Sequence, residues 1–276
     1  MLLLWAAVAF SGHLVDQVGH PVQAGPVTRL VALAPDVVEL AFALGAGERL
    51  VGVAGTADFP VAARLLPRVT VGDVESIMAR RPDLVLATTA GNDPRVIERL
   101  RASGVRTFTA DVTSCERLAE VLRLLGEVLG ARRRGDELAD DVLGRCAAAA
   151  RRAADLPGQG ALWVVWWEPP IVAAPNTFHH DLLHRAALTN LAPEGAGRYP
   201  RVNPEVFLDP GLRFVVSPDE PDVRAGWERF ATSAAGTRLA AGDVQVLWLP
   251  ADPASRPGPR MPEALEALVA AREARR

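Results

Sequence analysis

The chain has 276 residues, 49% of them hydrophobic, and a net charge of −3, which is enough apolar sequence for one large or two modest globular domains. The 33 acidic residues outnumber the 30 Lys/Arg positions, so the excess positive charge on which nucleic-acid binders depend is missing. Those 30 positions are all arginine, which excludes chemistry that needs a Schiff-base lysine or a Walker A lysine.

The chain begins with an apolar segment, MLLLWAAVAFSG, at residues 1–12. It is too short to span a bilayer, and it lacks the basic stretch of a good secretion signal. We interpret it as a weak signal-like segment. This interpretation favours a periplasmic or extracytoplasmic protein that is peripheral to the membrane, although a cytoplasmic location stays open.

Strands and helices alternate through residues 26–130. The run RLVALA from Arg29 predicts a strand, and Asp36 with Glu39 resembles a capping box at the start of the following helix. Further strands are predicted at 50–54, 84–89 and 105–110, with helices opening at Asp73 and Asp93 and a second capping box at Thr113 and Glu116. This alternation predicts a parallel sheet covered by helices, and therefore an N-terminal α/β lobe.

Residues 131–156 are rich in helix formers and end at a Pro-Gly break, so they predict one long connecting helix. The alternation resumes in residues 157–276, which predict a C-terminal α/β lobe with a terminal helix. The predicted fold class is therefore α/β, with two doubly wound lobes joined by a single long α-helix.

Cys115 and Cys146 are the only cysteines, and both lie in helical sequence. Neither belongs to a CxxC pair, so no zinc framework is visible. We expect two inert, partly buried thiols.

Two glutamates occupy similar positions in the two predicted lobes. Glu75 follows an Asp cap and Glu205 an Asn cap, and each precedes a predicted strand by nine residues. A negative charge in the first turn of a helix is stabilised by about 0.3–1 kcal/mol, which alone would explain either residue. Because one glutamate lies in each predicted lobe, the pair could also belong to a single binding surface that both lobes form.

The segments LVDQVGHPVQAGPVTRLVALAPDVVELAFALGAGERLVGVAGTADFP and VGDVESIMARRPDLVLAT resemble the N-terminal lobe of the periplasmic binding proteins that carry vitamin B12 and ferric siderophores. The likeness continues through WWEPPIVAAPNTFHHDLLHRAALTNLAP and RYPRVNPEVFLDPGLRFVVSP and covers nearly all of residues 14–270. The vitamin B12-binding subgroup is the most similar. The resemblance implies a non-enzymatic substrate-binding protein of an ABC importer that holds its ligand between the lobes.

In this family a glutamate on each lobe binds arginines of the permease, and Glu75 and Glu205 match those motif positions. The resemblance therefore implies an ABC permease dimer as partner, a small-molecule ligand and no cofactor. That ligand would be a cobalamin or a ferric chelate.

Ligands of doubly wound sheets bind at the carboxyl ends of the strands. The loops predicted there carry aromatic groups for a flat ligand and polar groups for hydrogen bonds. The candidate aromatic residues are Phe59, Trp166, Trp167 and Tyr199, and the candidate polar residues are Thr56, Thr89, Asn92, Glu168 and Asp252. The resemblance to the vitamin B12-binding subgroup implies aromatic residues at positions 56 and 89, where this chain has Thr56 and Thr89, so the ligand's identity stays open.

Strand alternation places Trp163 and Trp167 on one face and Trp166 on the other. We expect Trp163 to be a core residue, and we expect Trp167, as the last residue of the strand, to face the cleft.

Three other functions remain as alternatives. His180 and His184 lie one helical turn apart, which would suit a zinc or manganese receptor of the same fold. A cytoplasmic ligand sensor would fit the weak signal. A hydrolase is the least favoured function, because the sequence has no GxSxG motif and nothing in it places two acids together as general acid and base.

Overall fold

The computed structural model describes residues 14–23, 25–241 and 244–275. The signal-like segment predicted at residues 1–12 lies outside these ranges. Within them, no helix combines the length and the apolar character needed to cross a membrane.

A small antiparallel hairpin precedes the first lobe and was not predicted. It pairs β1 (Leu14–Val15) with β2 (Pro21–Val22). Asp16 in its turn is buried, and its Oδ2 accepts hydrogen bonds from the Thr109 amide at 3.0 Å and from Arg101 Nη2 at 3.1 Å. These bonds fasten the hairpin to the edge of the first sheet.

The first sheet is parallel, with strand order β5-β4-β3-β6-β7. Its central strands are buried along their whole length, as expected where helices cover both faces. The strands are β3 (Leu30–Ala32), β4 (Leu50–Ala54), β5 (Arg68–Val69), β6 (Leu84–Thr88) and β7 (Thr107–Ala110), and the helices are α1 (Pro35–Ala43), α2 (Val74–Met78), α3 (Pro94–Ala102) and α4 (Cys115–Val128). Short 3-10 turns occupy Gly47–Arg49 and Val61–Leu65.

The starts of these helices test the predicted caps. Asp73 and Asp93 cap α2 and α3, since each carboxylate accepts a hydrogen bond from the amide two residues on. The capping box at α1 is wrong, because Ala34 is the N-cap and makes no side-chain bond. At α4 the cap is Ser114, one residue after the predicted position.

A long helix, α5 (Arg132–Ala153), leads to the second sheet, whose parallel strands have the order β10-β8-β11-β12. The strands are β8 (Gln159–Trp167), β9 (Pro170–Val172), which pairs with β8 antiparallel, β10 (Leu188–Asn190), β11 (Leu212–Pro218) and β12 (Gln245–Leu249). The helices are α6 (Phe178–Arg185), α7 (Pro221–Ala231), α8 (Ala234–Ala241), α9 (Ala251–Ser255) and α10 (Met261–Glu273), with a 3-10 turn at Pro204–Leu208. The structure is therefore an α/β fold of two lobes.

Helix α5 packs on α4 and also on α6 and α10 of the second lobe. Its crossing with α4 is close, since a Cβ on Gly135 would lie 2.5 Å from the Leu122 carbonyl oxygen. One continuous apolar cluster extends from the first lobe through α4 and α5 to α6 and α10. Packing of this kind resists relative motion of the elements that it joins.

A disulfide bond joins Cys115, at the start of α4, to Cys146 in α5. Both residues are buried, with 0% and 1% of their surface exposed. The expectation of two separate, partly buried thiols is therefore wrong. The sequence could not show this pairing, because the two helices bring together residues 31 positions apart.

Candidate ligand-binding cleft

Loops at the carboxyl ends of both sheets meet between the lobes. The first lobe contributes the residues that follow β3, β4, β6 and β7, and the second contributes residues 198–201 and 251–260. Ligands of doubly wound sheets bind at this edge, so the space between the loops is the candidate cleft.

Arginines of the second lobe reach acids of the first at one end of the cleft. Arg260 donates to both carboxylate oxygens of Glu39, at 2.8 and 2.7 Å, and to Asp252 at 2.9 Å. Arg256 lies 3.2 Å from Glu39 and 2.9 Å from Asp58. The Glu39 side chain is only 2% exposed. Its hydrogen bonds with the two arginines therefore take the place of the water that the carboxylate loses on burial.

Two predicted ligand residues belong to this network. The Arg260 guanidinium lies over the Phe59 ring, 3.7 Å from its centroid, while Asp252 holds Arg256 and Arg260. The hydrogen bond to Glu39 raises the pKa of Arg260, with burial acting in the opposite direction. Phe59 and Asp252 therefore lie at the cleft, in contact with the protein's own arginines.

A second bridge crosses the cleft between Arg198 and Asp111. Arg198 Nη1 donates to Asp111 Oδ1 at 2.7 Å and Nη2 donates to Oδ2 at 3.1 Å, while Thr89 bonds to both side chains. Burial raises the pKa of Asp111, but the bonds from Arg198 and Thr89 outweigh it and hold that pKa below its usual value. The predicted residue Thr89 thus lies between the lobes.

An aromatic cavity of about 340 Å³ lies beside this bridge. Trp166 and Tyr199 line it and are 38% and 36% exposed, and the Trp166 Nε1–H donates to the Glu168 carbonyl at 2.9 Å. The other lining residues are Ala90, Val165, Phe178, His179, Glu220, Val223 and Ser255. A larger cavity of about 630 Å³ lies beside Thr28 and Arg49, at the amino ends of β3 and β4. We favour the smaller one, because it is at the carboxyl ends.

Trp167 does not reach the cleft, so its predicted role as a ligand residue is wrong. It is fully buried and packs against Trp227 and Phe230, with ring centroids 4.8 and 5.0 Å away. The pairing of β8 with β9 shifts register between Val164 and Trp166. Such an irregularity exchanges the faces of the residues that follow it. The Trp167 side chain therefore lies in the core of the second lobe and not in the cleft.

Trp163 is fully buried, as predicted, and lies in the cluster shared with the first lobe. Trp167 instead lies in a second cluster with Leu162 and Val164. The two tryptophans therefore occupy opposite faces of the second sheet, although unbroken alternation would place them on the same face.

The remaining predicted polar residues have other partners. Asn92 accepts a hydrogen bond from the Thr88 amide at 2.9 Å and donates to the Leu33 carbonyl at 2.8 Å, so it fixes the turn after β6. Glu168 forms an ion pair with Arg229. Thr56 is exposed in the loop after β4.

Two buried titratable groups, Asp36 and His179, lie next to the cleft and were not among the predicted site residues. Asp36 in the first turn of α1 is 3% exposed, and burial raises the pKa of its carboxyl to about 6, although a hydrogen bond with Thr88 opposes that effect. His179 is also 3% exposed, and burial lowers the pKa of its imidazole to about 3. Tyr199 lies 5.8 Å from the His179 ring, and burial raises the pKa of its phenol to about 12. All three are therefore uncharged at weakly acidic pH.

The position of Asp36 leads to a prediction on stability. The pKa of Asp36 rises from 3.8 to about 6 on folding. The stability that protonation of Asp36 contributes is therefore fully present below pH 3.8 and is lost as the pH rises through about 6. We expect Asp36→Asn to stabilise the protein at pH 8 by up to about 3 kcal/mol, since one pKa unit is worth about 1.4 kcal/mol. We expect little effect at pH 4.

Urea unfolding of Asp36→Asn and wild type at both pH values measures this difference. The contribution of His179 cancels in the comparison, because both proteins contain it. An equal change at pH 4 and pH 8 would show that Asp36 does not titrate during unfolding.

The histidines predicted for the metal alternative lie apart from the cleft cavity. His180 Nδ1 is 3.3 Å from Asn190 Nδ2, and His184 lines a cavity with Asp181 and residues of α5. Across the part of the chain that the structure describes, no group of three or more His, Cys, Asp or Glu residues could hold a metal ion.

Glu75 and Glu205 are both exposed, and each lies in the first turn of a short helix. The element at Glu205 is a 3-10 turn, and Asn203 caps it as predicted. The equal nine-residue spacing is not retained, because β11 begins at Leu212, two residues before the predicted start of that strand. The local likeness of the two sites therefore rests on the cap and the glutamate, not on the interval.

Comparison with known proteins agrees with this architecture. Residues 30–216 match the family described as periplasmic binding proteins. A vitamin B12-binding protein of Vibrio vulnificus is 26% identical over 248 residues, which is 88% of this chain and 89% of that protein. The periplasmic vitamin B12 binding protein of Vibrio cholerae superimposes with a TM-score of 0.77 at 24% identity, covering 90% of this chain and 98% of the other.

A periplasmic heme binding protein from Pseudomonas aeruginosa superimposes with a TM-score of 0.74 at 28% identity, covering 89% of this chain and 92% of the other. The two solved structures share the fold of this chain while differing in what their names say they bind. With more than half of its length matched, this chain belongs to the periplasmic binding protein family.

Proposed function

We propose that this chain is the substrate-binding protein of an ABC importer, which captures a corrinoid between its lobes and delivers it to a permease. The observation that carries the proposal is the aromatic cavity of Trp166 and Tyr199, which lies between two α/β lobes at the carboxyl ends of both sheets. A planar macrocycle stacks on such faces. The relatives named vitamin B12-binding proteins support the same ligand class.

Capture requires the lobes to separate at the cleft. Arg198 and Arg260 bridge it in the structure, and a cavity of about 340 Å³ is at the low end of the range for small-molecule sites. We propose that α5 is the connecting helix and that it limits this opening, because it is packed on both lobes. Exchange of ligand then proceeds by a small separation of the loops and not by a large hinge motion.

A ferric chelate such as haem is the second candidate ligand. Its support is the heme binding protein of Pseudomonas aeruginosa, at 28% identity. Tyr199 and His179, which meet at the cavity, are residue types that coordinate haem iron. The zinc or manganese alternative has less support, because His180 and His184 are outside this cavity.

The disulfide bond supports an extracytoplasmic location over a cytoplasmic sensor. Disulfides persist in oxidising compartments such as the bacterial periplasm and are rare in the cytosol. Cys115 and Cys146 are buried, so their bond is a structural link and not an exposed redox pair.

We also propose Glu75 and Glu205 as the permease-docking residues. Both are exposed, and neither forms an ion pair with another residue in the described ranges. Arginines of a partner could reach them without breaking an internal salt bridge. A partner with two-fold symmetry could engage both glutamates at once.

The ligand proposal predicts a specific loss of affinity. Trp166→Ala should weaken binding of cyanocobalamin about tenfold, since stacking on an aromatic face contributes about 1.5 kcal/mol. Isothermal titration calorimetry measures the affinity without relying on tryptophan fluorescence. The same titration with haemin and with zinc tests the other two ligand classes.

Trp248→Ala is the matched control. Trp248 is also a partly exposed tryptophan of the second lobe, but Arg224 covers it, 4.0 Å from the ring centroid, and it does not line the cavity. Its loss should leave the affinity unchanged. Equal weakening by the two variants would show a general effect on the lobe, and haemin binding without cyanocobalamin binding would replace the corrinoid by the ferric chelate.

A further inference from the structure

The Arg198–Asp111 bridge lies next to two different cavities. Tyr199 lines the aromatic cavity, whereas its neighbour Arg198 lines a polar one of about 470 Å³ together with Asp111, Thr113, Pro175, Asn176, Gly195 and Gly197. A flat ligand seated on the aromatic cavity would therefore extend its substituents toward a charge-paired group. The chemistry of that pair decides which substituents it accepts.

The pair keeps hydrogen-bonding capacity for a ligand. A guanidinium has five N–H donors, and bonds to Asp111 and Thr89 use three of those of Arg198. Asp111 Oδ1 accepts from both partners, whereas Oδ2 accepts from Arg198 Nη2. The side chains of Arg198 and Asp111 are 39% and 19% exposed, so a ligand can approach both.

The surroundings hold Asp111 in place as an anion. Its backbone amide donates to Gln17 Oε1 at 2.8 Å, which ties it to the hairpin of β1 and β2. The bonds from Arg198 and Thr89 lower the pKa of its carboxyl despite partial burial. A ligand therefore meets one donor group and one fixed acceptor group side by side.

We propose that the Arg198–Asp111 pair selects macrocycles that carry uncharged primary amides over those that carry carboxylates at the same place. An amide oxygen accepts from the remaining N–H groups of Arg198 while the amide N–H donates to Asp111 Oδ2. A carboxylate supplies acceptors alone and meets the charge of Asp111, which is a like charge at close range. This inference rests on the proposed corrinoid function and narrows it to amide-bearing ligands.

The test compares cyanocobalamin with its monocarboxylic derivatives, in each of which one ring amide is replaced by a carboxylate. Calorimetric titration of wild type should show at least one derivative binding ten or more times more weakly than the parent. In Asp111→Asn, which keeps the shape and removes the charge, that same derivative should come within about threefold of the parent.

Asp140→Asn is the matched control, because Asp140 pairs with Arg123 at 2.6 Å on the surface of α5 and α4. It should retain the wild-type preference. Equal binding of all derivatives to wild type, or an unchanged preference in Asp111→Asn, overturns the inference and leaves the corrinoid function standing. If cyanocobalamin itself does not bind, the corrinoid proposal fails and the inference fails with it.

Discussion

Replacing both Glu75 and Glu205 with alanine is expected to abolish ligand uptake while leaving the affinity of the purified protein for its ligand unchanged. The two carboxylates are exposed, each in the first turn of its own short helix, and neither lines the aromatic or the polar cavity. Their removal therefore takes contacts from a partner without altering the cleft. Whole-cell uptake and calorimetry on the purified variant measure the two effects.

The double variant should lose more than the sum of the single variants in uptake. When one glutamate is bound, the other is held close to its own arginine, so the second contact forms at a high effective concentration. Each single variant keeps one contact and should retain part of the activity. Charge reversal of a single glutamate to arginine should lower uptake more than replacement of the same glutamate by alanine, because it brings like charges together.

Glu48→Ala with Glu263→Ala is the matched control. Both residues are exposed glutamates in the first turn of a helical segment, one in each lobe, so the helix-dipole effect of their loss is comparable. This control should support normal uptake. Weaker ligand binding by the Glu75/Glu205 variant would contradict the docking assignment, and so would normal uptake.

Much of the fold could be predicted because its evidence is local. The helix caps at Asp73, Asp93 and Asn203 depend on residues two positions apart. The long helix observed at Arg132–Ala153 lies within the predicted range of 131–156. The hairpin of β1 and β2 was missed because its strands have only two residues each, which is too short for a periodic pattern.

The candidate site was predicted less well because its contacts are not local. Arg260 and Glu39 are 221 positions apart, and Arg198 and Asp111 are 87 apart, so no spacing rule could connect them. The cleft position of Trp167 was expected because it is the last residue of its strand, whereas the irregularity in β8 places its side chain in the core of the second lobe. The loops at the carboxyl ends of the strands could be predicted, whereas the partners of their side chains could not.

Removing the disulfide bond with Cys115→Ala and Cys146→Ala together should lower the free energy of unfolding by about 4 kcal/mol, since the bond closes a loop of about 30 residues in the unfolded chain. For a chain of this size that corresponds to a melting temperature lower by about 8–15 °C. The bond joins α4 to α5, and α5 also packs on the second lobe, so we expect the loss to affect both lobes and to appear in one unfolding transition.

Thermal melting followed by circular dichroism, with wild type in reductant as the control, measures the effect. Wild type in reductant and the double variant should melt together, and a variant that melts with oxidised wild type would show that packing of α4 on α5 suffices without the covalent link.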